Sequence, residues 1–157
     1  MTTENHFHLI ELARLSWPTI LGIPSRRFRL LVVADVTEIP TDIISQFANA
    51  ALKSGMVYFC AWGPGCERFH DIVDEVCVED DLGARLFVGP NSHDVIMTTW
   101  HPNDTLDEAV EYLINSASAW PTDGFTADSD LWIAICINNS EWAATIRRLF
   151  GEANRRT

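Results

Sequence analysis

The chain has 157 residues, the size of one domain, and hydrophobic and charged fractions of 47% and 21% that exclude a disordered polymer. With 22 acidic against 11 basic residues its formal net charge is −11, a field that repels phosphate backbones and anionic lipid and favours a basic protein or a cationic ligand. No nucleic acid and no membrane is expected as a partner.

Residues 5–15 set Phe7, Ile10, Leu12 and Leu15 among polar neighbours, which predicts a short amphipathic helix. Trp17-Pro18 and Gly22-Ile23-Pro24 then break the chain, so 1–27 is expected to be an N-terminal helix and irregular connector. Arg29 to Ala34 is a nearly continuous apolar run ending at Asp35, the pattern of a strand covered on both faces. After a turn at Thr37 to Pro40, a helix over 40–53 buries Ile43, Ile44, Phe47, Ala51 and Leu52 and ends at Gly55.

Met56 to Trp62 is the second strand and Cys66 to Cys77 the second helix, with the stripe Phe69, Ile72, Val73 and Val76. Beyond Glu79-Asp80-Asp81 and Gly83, Leu86-Phe87-Val88 is expected to be a short edge strand, and Asp94 to Trp100 a further strand. Asp104 is the expected cap of a helix over 105–117, with Asp107 strengthening its start. A polar loop over 121–130 precedes the last strand, Leu131 to Ile137. Asn139 or Ser140 then caps the final helix, Trp142 to Phe150.

Strands alternating with helices imply crossover connections and a mainly parallel sheet of four to five strands. The expected architecture is a single α/β domain over 1–157, a three-layer sandwich that is Rossmann-like or flavodoxin-like. No apolar run approaches the roughly 18 residues that span a bilayer, and the N-terminus lacks the pattern of a signal peptide. The expected compartment is therefore the cytoplasm, with Cys60, Cys66, Cys77 and Cys136 as free thiols.

In an open parallel sheet, ligands bind beyond the carboxyl ends of the strands, near a switch in strand order. That rule nominates Asp35; Trp62, Gly63, Gly65, Cys66 and Glu67; His101 and Asn103; and Asn138, Asn139 and Ser140. Cys66 opens a helix, where unpaired N–H groups favour a thiolate, and His101 is its candidate base with Asp35 or Asn138 orienting the ring. Glu67 opposes that thiolate, and a buried structural cysteine is the ordinary alternative.

Cys66 and His70, four apart on one helix face, could with His101 and Asp35 ligate a metal, although a two-ligand spacing is frequent by chance. The loop Gly63-Pro64-Gly65 could cradle an anion, but the third glycine of a dinucleotide fingerprint falls at Arg68. No cofactor is expected. Trp62, Gly63, Gly65 and Asn138 are the candidate ligand-binding residues. The face Glu67, Asp71, Asp74 and Glu75, with Glu79, Asp80 and Asp81 beyond, is either solvated or a dock for a basic partner.

The block Tyr58-Phe59-Cys60-Ala61-Trp62-Gly63-Pro64-Gly65-Cys66-Glu67-Arg68-Phe69-His70-Asp71, with Met97-Thr98-Thr99-Trp100-His101 and the helix starting at Asp104, resembles a small family of uncharacterised bacterial proteins. The resemblance covers most of the chain beyond residue 28. It implies no activity, since the family is a domain of unknown function, and it marks the ends of the second and third strands. The expected function is a non-catalytic binding or regulatory module acting on a protein partner. A role in bacterial immunity or defence would suit its size and acidity. The alternative is a Cys/His-dependent hydrolase or transferase.

Overall fold

The computed structural model describes residues 6–18, 27–87, 96–117 and 131–156, side chains of 81–87 excepted. Gly22-Ile23-Pro24, Val88, Asp94 and the loop over 121–130 lie outside the described residues. Among the described residues, five strands, β1 (Phe7–Leu12), β2 (Phe28–Val33), β3 (Met56–Trp62), β4 (Met97–Trp100) and β5 (Leu131–Ile137), form one sheet in the order β1-β5-β2-β3-β4. Every pairing is parallel. Helices α1 (Thr41–Ser54), α2 (Cys66–Phe87), α3 (Leu106–Asn115) and α4 (Ser140–Arg156) complete a Rossmann/flavodoxin-like α/β fold.

The two-residue period of the central strands sorts side chains into two cores. Leu30, Val32, Phe59, Ala61, Ile133 and Ile135 meet Ile44 and Phe47 of α1 and Phe69 and Val73 of α2. Their neighbours Leu31, Val33, Tyr58, Cys60, Ala134 and Cys136 meet Val110 and Leu113 of α3 and Ile146 and Phe150 of α4. The layers are therefore α1 and α2, the sheet, then α3 and α4. Each fully buried Leu, Ile or Phe contributes about 1.5–3 kcal/mol, and β2, β3 and β5 are buried along almost their whole length.

Three sequence expectations are corrected. Residues 7–12 form the edge strand β1, not a helix: Phe7 stacks on Trp132 at 4.8 Å and lies tilted against Phe150 at 5.6 Å, while His8 and Glu11 are exposed. Pairing with β5 over six residues decides the matter, because so short a helix gains little in water. Leu86-Phe87 is the last part of α2 rather than an edge strand. Gly83 costs that helix about 1 kcal/mol relative to alanine. Finally, α3 is capped by Thr105, whose hydroxyl accepts from the Glu108 amide in a full capping box, and Asp104 serves elsewhere.

Candidate functional site

At the carboxyl edge of the sheet, α1 leaves β2 and α4 leaves β5 toward opposite layers, and α2 and α3 diverge from β3 and β4 in the same way. Each divergence leaves strand ends uncovered, and a crevice opens there. The first holds about 670 Å³ and is lined by Arg14, Asp35, Ile39, Ile43, Asn138 and Trp142, among others. The second holds about 600 Å³ and is lined by the loop from Trp62 to Glu67 together with His101, Pro102, Asp104 and Trp142. Trp142 lines both, standing perpendicular to Trp62 at a centroid distance of 5.1 Å.

The glycines of the second crevice are dictated by packing. Gly63 has φ +117°, and a Cβ there would lie 2.2 Å from the Ala34 carbonyl oxygen. Gly65 has φ +80° and comes against Val36 and Thr37. The loop is thus zipped onto the extension of β2, with Ala34 N–H donating to Trp62 O and Val36 N–H to Pro64 O. This is the tight-turn role of such glycines, and it accounts for both. Cys66 is buried in the core shared by α1 and α2, its own N–H donating to Gly63 O. Arg68 reaches from α2 to Val36 O, Ile39 O and the Thr41 hydroxyl, tying the helix to the β2–α1 turn.

His101 is buried and its ring is committed on both sides. Its Nδ1 lies 2.8 Å from Asp104 Oδ2 and its Nε2 2.9 Å from Thr99 Oγ1. Since a carboxylate only accepts, Nδ1 carries a proton toward Asp104, and Nε2 is hydrogen-bonded to the Thr99 hydroxyl. The ring rests on Tyr112 at 4.6 Å, and Trp62 Nε1–H donates to Asp104 O. Behind this cluster the Tyr58 and Tyr112 hydroxyls meet at 2.6 Å, and burial raises the Tyr58 phenol.

On the opposite face of β4, His70 Nδ1 lies 3.0 Å from Asp71 and Nε2 3.0 Å from the Thr98 hydroxyl, which donates to Asp74. Asp35 Oδ1 accepts from the Thr37 hydroxyl and amide, bonds that hold its carboxyl below the usual range. Asn138 is exposed in the left-handed region at φ +48°. Asn139 caps α4 by accepting from Trp142 N–H.

Of the residues nominated by sequence, Trp62, Gly63, Gly65, Cys66, Glu67 and His101 meet around the second crevice, while Asp35 and Asn138 line the first. The nominated catalytic set is therefore divided between two crevices, and the His101 ring engages Thr99 and Asp104 rather than Cys66. His70 and His101 lie on opposite faces of β4. Among the described residues, no group of three or more His, Cys, Asp and Glu is arranged to hold a metal ion.

Sequence reasoning missed Asp104 as the partner of His101, although three residues separate them, and missed Trp142 at the first turn of α4. It also missed Trp100, 41% exposed at the sheet edge with its ring 4.3 Å from that of His70. Beside it, α2 exposes Glu67, Asp71, Glu75, Val78 and Glu79.

No helix among the described residues is long and apolar enough to cross a membrane. No curated protein and no solved structure matches the chain. The strand ends gathered at these crevices fall within residues 8–153, which match the model of a family described as Domain of unknown function (DUF7684), and the chain belongs to that family.

Proposed function

We propose that this protein is a non-catalytic binding module that docks a basic protein partner on the outer face of α2, with Trp100 as the anchor. The observation that carries this reading is the exposed indole of Trp100, seated against His70 and bordered by Asp71 and Asp74 of α2. A large aromatic at the rim of a single-sign charged face is the composition of a binding hot spot. Arg68, the one basic side chain of α2 before Arg85, turns inward to the β2–α1 turn and leaves the face acidic. The net charge of −11 extends the same field over the molecule and would speed encounter with a cationic surface.

The test is capture from cell extract on the immobilised full chain, comparing the wild type with Trp100→Ala and with the double variant Asp71→Lys, Glu75→Lys. The expected result is a protein retained by the wild type, released as salt rises, and lost from both variants. The Trp100→Ala loss should reach about 30-fold in affinity, as for a typical aromatic hot spot. Equal retention by all three chains, or retention indifferent to salt, overturns the proposal. Both sites are exposed, so unchanged urea midpoints should show that the variants are folded.

A further inference from the structure

We infer that the crevice between the β3 and β4 strand ends is a seat for an organic cation, an alkylammonium or guanidinium group. Two half-buried indoles, Trp62 and Trp142, line it at right angles, and the acidic residues Glu67 and Asp104 line it beside them. Indole faces attract a cation through the ring quadrupole, and the attraction grows as water is removed. Pro64 and Pro102 add apolar wall suited to the methylene or methyl groups of such a ligand.

The indoles are held in place. The Trp62 indole donates its Nε1–H to Asp104 O, and the Trp142 ring packs at right angles against it from a backbone whose amide donates to Asn139 Oδ1. Asp104 is held by His101, which is itself held by Thr99. The seat therefore needs little ordering when a ligand enters.

An anion would find the same place unfavourable. The N-termini of α2 and α3 bring about half a positive charge each, but Glu67 and Asp104, the latter shared with the His101 ring, bring a full negative charge each, and no lysine or arginine among the described residues lines the crevice. One of the first-turn amides is also used, since Cys66 N–H donates to Gly63 O. A compact ammonium or guanidinium head on an apolar stem fits both the 600 Å³ volume and the charge. This inference rests on the crevice alone and does not need the α2 face to dock a protein.

The experiment is a titration of the full chain followed through the indole N–H resonances, with choline as one probe and arginine amide as a second. The control is 3,3-dimethylbutanol, the uncharged carbon analogue of choline. Saturable shifts of the Trp62 and Trp142 signals with a cationic probe, absent with the alcohol, are expected. Glu67→Gln should weaken binding about fivefold, the worth of one partly exposed charge contact. Trp142→Leu should abolish it while leaving the Trp100 signal unmoved.

A third probe, a short peptide carrying one arginine or one trimethylated lysine, separates the two sources of such a cation. Peptide binding tighter than that of the free probes assigns the seat to a partner's side chain, and tighter binding of a free probe assigns it to a small molecule. Equal response to choline and the alcohol, no saturable shift with any cation, or full affinity in Glu67→Gln overturns the inference.

Discussion

Gly63 shows how one residue fixes the geometry of a whole edge. Its φ of +117° and the 2.2 Å that would separate a Cβ from Ala34 O mean that no side chain fits without moving the end of β2 away from the β3 loop. Gly63→Ala should lower stability by about 2–4 kcal/mol, from left-handed strain and overpacking together. The urea midpoint would measure it, and a change under 1 kcal/mol would show that the loop is not zipped as described. The glycines were legible in the sequence as a turn, but their partner was not, because Ala34 is distant in sequence and only the β2–β3 pairing brings it there. Cys66 is a similar case. Its place at the start of a helix was legible, while the core that buries it depends on Phe47 and Phe69 from two different helices.

The element most dependent on side-chain bonds is β4. It has four residues and lies at the sheet edge among the described strands, yet both of its threonines are clasped, Thr98 by His70 and Asp74 and Thr99 by His101. The histidines thereby tie the strand to α2 on one face and to the start of α3 on the other. Thr98→Val removes two bonds without changing shape. It should destabilise the protein by about 1–3 kcal/mol, since it leaves His70 and Asp74 each short of a partner. Amide exchange at the His101 N–H, which bonds Ala61 O, should accelerate before that of β2 or β5. Uniform acceleration across the sheet would mean that the clasp is not local to β4.

Elements buried on both faces were legible, because β3 and β5 are unbroken apolar runs of seven residues and β2 is interrupted only by Arg29. The half-exposed β1 was not, because its spacing of Phe7, Ile10 and Leu12 suits a helix as well as an edge strand. The choice between the two is made by β5, more than a hundred residues away. The fate of Asp104 turns on a single competing neighbour. With Thr105 and Glu108 forming the capping box, the carboxylate is left for His101.

Across the whole molecule, the parallel sheet divides the buried thiols between its two faces. Cys77 joins the core under α1 and α2, and Cys60 and Cys136 the core under α3 and α4. Burial pushes Cys60 up to about 12, burial with the charges of Asp74 and Asp80 pushes Cys77 up to about 12, and burial with Glu11 pushes Cys136 up to about 11.

A thiol whose folded pKa lies above its unfolded value of 9.0 holds its proton more tightly in the folded chain. It thus contributes stability that is complete below pH 9 and is lost as pH rises through the folded value. Between pH 9 and 11 each such thiol should cost up to about 1.4 kcal/mol per pH unit, with the raised phenol of Tyr58 adding to the fall near its upper end. The urea midpoint should therefore be level from pH 7 to 8.5 and drop steeply beyond. Cys60→Ala lowers stability at neutral pH by leaving a small cavity, but it should flatten the alkaline slope by one proton. An unchanged slope in that variant would assign the alkaline loss to mutual repulsion among the carboxylates and phenolates instead.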